Sequence, residues 1–250
     1  MKTFIIRIKG DILSEKMAAE CIESLPANLD PILIDAVTPE TLDNYNLNWT
    51  YPYDGIQNLS DHDYHQEKQT YAITCPKTNL FLQPKFTKNP KRRMSCFVSH
   101  YLTWERIIEE DEMCMVCEHD VLFYAKTLFP IKEFEKSLYD PIAIMNPIGL
   151  SLMGDIYHEK LQKSNEKITN VPKIQEPIWW PNDKVPQGWP GASAYIMKPK
   201  GAKHMLKLTN EVGAWTPDLT MCHQLVPNIG ASKIYFTKTQ NEISYTAEMI

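Results

Sequence analysis

Glycine is scarce in this 250-residue chain, with only nine in all. That is few for a doubly wound nucleotide binder, which uses glycine to bring backbone close to phosphates. No stretch approaches the roughly 20 apolar residues of a membrane-spanning helix. The opening "MKTFIIRIKGDIL" is too short in apolar residues to be the core of a signal peptide. The six cysteines (21, 75, 96, 114, 117 and 222) lack the dense spacing of a disulfide-stapled secreted scaffold. Cys114 and Cys117 form a single C-x-x-C inside an apolar run, so they read as buried core thiols rather than zinc ligands. There is no excess of positive charge either: a formal net charge of −5 excludes indiscriminate adhesion to nucleic acid but leaves a local basic groove open. A cytoplasmic location follows as the expectation, and the sequons at Asn48 and Asn58 carry little weight without a secretory route.

What is present is a globular balance of 43% hydrophobic and 23% charged residues, enough chain for one large α/β domain with a proper core. "TFIIRI" reads as a strand and "SEKMAAECIESL" as a helix capped by Ser14. "PILIDAV" reads as a second strand, and this β-α-β start predicts a parallel sheet. Residues 38 to 90 read as long loops, a candidate lid. "MSCFVSHYLTWERIIEE" is the clearest helix, capped by Ser95, with Phe97, Tyr101, Trp104 and Ile108 on one stripe. Residues 151 to 187 read as irregular. "ASAYIM" reads as a strand, "PKGAKHMLKL" as a helix with Pro199 in its first turn, and "TPDLTMCHQLV" as a helix capped by Thr216.

The stretch "MCMVCEHDVLF", residues 113–123, breaks from an apolar run into Glu118, His119 and Asp120 and then turns apolar again. Burying such groups costs roughly 2–7 kcal/mol for each unpaired polar group, more for a charge, unless partners or a metal are supplied. In an extended strand residues i and i+2 project to the same side. Glu118 and Asp120 therefore share a face at the carboxyl end of a strand, where open α/β sheets bind ligands, and His119 points the other way. Two hard carboxylate ligands suit Mg²⁺ or Mn²⁺ bound together with substrate phosphates. By spacing alone, a pair that caps a turn or bridges to Lys and Arg fits as well.

"RRMSCFVSHYLTW" followed by a hydrophobic strand and "EHD" resembles glycosyltransferase family 25, which includes lipopolysaccharide-building and procollagen galactosyltransferases. The family pattern is a Ser-His on a helix with a nearby Trp, then a strand ending Glu-Asp-Asp. "GASAYIMKPKGAKHML" and "TPDLTMC" are similar to two later family segments, in the same order. His119 replaces the family's middle Asp, while both outer acids are retained. The form of the motif also resembles the subset of the family carried by large tailed phages, in which case the compartment is the host cytoplasm.

The resemblance implies a single GT-A-like (Rossmann-like) α/β domain over residues 1–250. Its central sheet would be mostly parallel, with long loops over the carboxyl ends of the strands, a donor and metal half in 1–125 and an acceptor half in 126–250. It implies a UDP-sugar donor, Mn²⁺ or Mg²⁺, and an inverting transfer. Asp120 and Glu118 are then the metal ligands and Asp218 the acceptor's general base, although an Asp in the first turn of a helix is also placed there by the helix dipole. Arg7, Arg92, Arg93, Ser99, His100, Glu118 and Gly191 are donor-binding candidates. Lys85, Lys88, Lys91, Trp180 and Trp189 are acceptor-binding candidates. His100 read alone is a boundary histidine, and loop tryptophans such as Trp179, Trp180 and Trp189 often serve as hydrophobic pegs. The run "KFTKNPKRR", basic in an acidic chain, points to duplex DNA carrying hydroxymethylated cytosine as acceptor. A surface glycan is the alternative acceptor. A metal-dependent nuclease or phosphoesterase, and a non-catalytic binding protein, are the readings from other classes.

Overall fold

The computed structural model describes residues 1–49, 64–65, 70–71, 73–82, 90–149, 152–173 and 184–240. The chain opens with β1 (Lys2–Arg7), α1 (Ile12–Ser24) and β2 (Asp30–Asp35), and the two strands pair in parallel as the sequence implies. The α1 cap is Asp11, whose carboxylate accepts from the Ser14 backbone N–H. Ser14 is buried inside the helix, and its hydroxyl accepts from the Ile8 N–H. Where long loops were expected, a 3-10 turn (Leu42–Asn44) is followed by two short antiparallel pairs. These join β3 (Tyr64–His65) to β4 (Thr70–Tyr71) and β5 (Ile73–Thr74) to β6 (Phe81–Leu82).

Helix α2 (Pro90–Glu110) starts earlier than expected, which puts Ser95 inside it rather than at its cap. It stops where Asp111 takes a positive φ of 51°, a conformation Asp tolerates. Then come β7 (Cys114–Glu118), β8 (Val121–Phe123), α3 (Ile131–Lys136) and β9 (Ile142–Ala143). The segment read as irregular contains α4 (Leu152–Gln162) and β10 (Ile168–Asn170). Tyr157 and Leu161, one turn apart and both buried, anchor that helix through a stripe too short to stand out in the sequence. The chain continues through β11 (Ala194–Met197), α5 (Pro199–Val212), α6 (Pro217–Thr220), β12 (Gly230–Ser232) and β13 (Thr237–Thr239). Thr216 does precede α6, but makes no side-chain cap bond, and the helix ends after one turn.

Seven strands form one sheet in the order β10-β12-β9-β11-β7-β1-β2. β2, β1, β7, β9 and β12 run one way, while β11 and the edge strand β10 run the other. The sheet is therefore mostly parallel, with one reversed strand beside β7. Strand alternation sorts side chains into two cores. Phe4, Ile6, Cys114, Val116, Tyr195 and Met197 face α2 and α5, packing on Phe97, Trp104, Ile107 and Met205. Ile5, Met115, Cys117, Ala194 and Ile196 face Ala18 and Cys21 of α1, with Phe129 and Phe134. Cys114 and Cys117 are thus core thiols on opposite faces of one strand.

The end of the sheet away from Glu118 is pinned by Asp140. Its carboxylate accepts from the Lys198 and Gly201 backbone N–H groups at the start of α5, at 2.9 and 2.7 Å. A Cβ built on Gly201 would lie 2.5 Å from that carboxylate. Asp140→Ala leaves two helix-terminal donors without acceptors and is expected to lower stability by about 2–4 kcal/mol. Urea denaturation checks this, and an unchanged midpoint would contradict it.

Candidate active site

β1 and β7 lie side by side in parallel, with Ile6 opposite Glu118, so their carboxyl ends open on the same edge of the sheet. Glu118 is the last residue of β7, and its N–H bonds the Ser193 carbonyl at 2.8 Å, which fixes the strand end against the segment leading into β11. His119 and Asp120 form the turn that follows. Helix α2 passes over this edge. Cys96 and His100, one turn apart on it, both reach Glu118: Nε2 of His100 lies 3.2 Å from Oε1, and Sγ of Cys96 3.7 Å from the same oxygen.

Electrostatics ties a wider set together. Burial works to raise the Glu118 pKa. The hydrogen bond from His100 and the nearby imidazoles of His100 and His119 outweigh it, against opposition from Asp218, and the carboxyl titrates below its ordinary value. Asp120 goes the other way: burial, then the negative charge of Glu118, push it up to about 7, with its own backbone N–H pulling back. Its Oδ1 is buried with no hydrogen-bond partner. Burial and the charges of Glu118 and Asp218 drive the Cys96 thiol far up, and Arg93 only partly offsets them, so it stays a thiol and donates. His119 is lowered by burial despite the pull of Glu118, the Ile6 backbone and Asp11, which places it against the end of β1.

Glu118, Asp120, Asp218, Arg93, Cys96 and His100 therefore act on one another, although they come from three parts of the chain. Asp218 sits in the single turn of α6, which is held by close backbone packing. A Cβ on Gly188 would lie 2.6 Å from the Asp218 carbonyl oxygen and 2.7 Å from that of Met221. Asp120 and Glu118 offer hard oxygens suited to Mg²⁺ or Mn²⁺. The orphaned Oδ1 of Asp120 is the atom a cation would satisfy.

Other expected site residues lie elsewhere or are otherwise engaged. Ser99 is buried; its hydroxyl accepts from the Val37 N–H and donates to the Ser95 carbonyl, so it ties α2 to the segment after β2 instead of facing a donor. His100 is not at the boundary but fully buried, and it reaches Glu118 rather than open space. Trp189 is core: its indole N–H donates to the Gly230 carbonyl and its ring packs on Tyr195, which leaves no face for an acceptor. Arg7 is bridged to Glu15 and Asp35 at 3.2 and 3.1 Å. Lys91 pairs with Asp43, and Arg92 acts on Glu40. Gly191 adopts φ 115°, which explains a glycine there without any ligand. Lys85, Lys88, Trp179 and Trp180 lie outside the described residues.

The sequence reading missed Cys96 and Tyr195. For the burial of His100 a usable signal existed: Phe97, His100, Trp104 and Ile107 follow a 3-4-3 spacing, which places His100 within the buried stripe rather than beside it.

The family model described as glycosyltransferase family 25 (LPS biosynthesis protein) matches residues 1–221, a span containing every one of the site residues just named. The chain belongs to glycosyltransferase family 25. It is a glycosyltransferase, and the α/β sheet with its carboxylates at the strand ends is that enzyme's framework. Among solved structures, apo mouse xyloside xylosyltransferase 1 is similar at 12% identity and a TM-score of 0.40, over 92% of this chain and 84% of that one. No curated protein matches. No helix among the described residues is long and apolar enough to cross a membrane.

Proposed function

We propose that this glycosyltransferase moves a sugar from a UDP-sugar to a hydroxyl of a lipopolysaccharide-type surface glycan, with inversion, aided by Mn²⁺ or Mg²⁺ held by Asp120 and Glu118. The observation that carries the metal is the buried, unpartnered Oδ1 of Asp120 beside the ionised Glu118. When bound, the cation supplies positive charge to the departing diphosphate. Arg93, whose charge already acts on the Cys96 thiol, adds a second positive group for the diphosphate. Asp218 accepts the proton of the acceptor hydroxyl as that oxygen bonds to the anomeric carbon and the sugar–diphosphate bond breaks. The described part of the basic run faces acids of its own chain, Lys91 on Asp43 and Arg92 beside Glu40. This pairing favours a glycan over a polyanionic duplex, as does the family's description.

The test combines the protein with Mn²⁺, pooled UDP-sugars and two acceptors, truncated lipopolysaccharide and hydroxymethylcytosine DNA, with products read by mass spectrometry. Sugar added to the glycan and lost with EDTA is the expected result. Sugar on the DNA base would replace the acceptor. Cleavage of DNA without any donor would mean a nuclease. Absence of both transfer and UDP binding would overturn the enzyme reading.

A further inference from the structure

We infer that Trp104, Tyr195 and His100 form a one-directional hydrogen-bond chain that fixes which oxygen of Glu118 faces the site. The inference deepens the reading of Glu118 as a site carboxylate and rests on it. Trp104 Nε1 can only donate, and it lies 2.8 Å from the Tyr195 hydroxyl oxygen. That oxygen therefore accepts, and its own proton is left for His100 Nδ1, 2.9 Å away. With Nδ1 accepting, the neutral imidazole carries its proton on Nε2, which donates to Glu118 Oε1 at 3.2 Å. Trp104, Tyr195 and His100 are all at most 1% exposed, so bulk water offers none of them another partner. An imidazolium would aim a second donor at the Tyr195 oxygen and leave the phenol proton stranded in the core.

The Cys96 thiol donates to the same Oε1 at 3.7 Å. Both donors thus end on one oxygen. Oε2 makes no hydrogen bond among the described residues and is the one presented to a ligand. The same side chains could be read as a metal cluster, since the ligand atoms of Cys96, His100 and Glu118 lie within 4.8 Å of one another. A metal on Nε2 would move the imidazole proton to Nδ1 and set two donors against the Tyr195 oxygen. The hydrogen-bond chain gives every polar atom of the Trp104, Tyr195 and His100 side chains a partner, and the metal cluster leaves the Tyr195 proton without one. Tyr195 and His100 are positioning residues for Glu118. The chain spans the fold, because Tyr195 sits on β11, opposite Val116 of β7, while Trp104 and His100 are one turn apart on α2.

The test is long-range ¹H–¹⁵N NMR of the full chain with ¹⁵N-histidine, in the absence of metal and donor, with the His100 signals assigned by their loss in His100→Gln. The expected wild-type result is a single Nε2–H tautomer. Tyr195→Phe should give mixed tautomers and about tenfold weaker Mn²⁺ binding, measured by EPR of free Mn²⁺. His100→Gln, whose amide can still donate to Glu118, should recover most of the Mn²⁺ affinity that His100→Leu loses. An Nδ1–H tautomer in the wild type, or unchanged tautomer and Mn²⁺ affinity in Tyr195→Phe, would overturn the inference. A wild-type chain that binds no Mn²⁺ would instead defeat the metal reading, and the tautomer result would still decide the hydrogen-bond chain.

Discussion

Asp120→Asn is expected to cut sugar transfer about a hundredfold or more and, in the same molecule, to stabilise the metal-free protein at neutral to alkaline pH. Losing the charged ligand removes several kcal/mol of charge stabilisation on the leaving group, which corresponds to roughly 10²–10³ in kcat/KM. The stability gain follows from the other side of the same carboxylate. Burial and Glu118 push Asp120 up to about 7 in the fold, from an ordinary 3.8. Between those values the native state keeps a proton that the unfolded chain has released, so stability falls as pH rises through this window. Asp140, pushed up to about 6 by burial, acts in the same direction. Glu118 is shifted downward from 4.5, so its contribution has the opposite sign: it is present above 4.5 and is lost on acidification below that value. Once Asp120 is ionised without a counterion, the cost is about 2–4 kcal/mol, which a neutral amide avoids.

Thermal melts in EDTA at pH 5 and pH 8 read the effect. The wild type should lose several degrees between the two, and the variant should lose less. Mn²⁺ at pH 8 should restore the wild type and leave Asp120→Asn unmoved. Equal melting of the two proteins at pH 8 in EDTA, with transfer retained in the variant, would remove Asp120 from the metal site. Such a trade of stability for function is common where charge is buried for chemistry.

Asp218→Asn should lower kcat by about 10²–10⁴ while leaving Mn²⁺ binding intact, as expected for a general base acting on the acceptor. Gly188→Ala should approach the same loss without touching a functional side chain. Its new Cβ meets two backbone carbonyls at 2.6 and 2.7 Å, those of Asp218 and Met221, so the α6 turn itself must move. Overpacking of this kind costs about 1–3 kcal/mol, and here the displaced segment carries the base. Gly201→Ala serves as the matched comparison: its Cβ meets the Asp140 carboxylate at 2.5 Å, at the opposite end of the sheet. It should lose comparable stability and keep its kcat. Activity measured well below each variant's melting temperature separates the two. Full activity in Gly188→Ala would mean that the position of Asp218 does not matter to the reaction.

Much of the fold was legible because its cues are local. The β-α-β start, the strand ending at Glu118 and the Pro199 helix each follow from hydrophobic period and turn residues within a dozen positions. Caps were read less well. Ser14 and Ser95 are good capping residues, but each is drawn into the helix by packing, and α1 is capped by Asp11 instead. α4 was missed because its burial rests on the sheet it meets rather than on its own pattern. Trp189 and Ser99 are of residue types that suit ligand contact, but type alone cannot separate a buried partner from an exposed one, and both are bonded inside the fold.

The sequence by itself determined the α/β class, the strand that stops at Glu118 with Asp120 two residues on and, through the order of its motifs, the family. Only the tertiary structure decided what surrounds those acids: Cys96 and His100 on Glu118 Oε1, Tyr195 from a reversed strand, and Asp218 brought within range of Glu118 by a turn packed on Gly188. The reason is physical. Period and spacing are properties of neighbours along the chain. The protonation state, free lone pairs and net charge of a site are set by groups a hundred residues apart that meet only when the sheet closes and water is excluded.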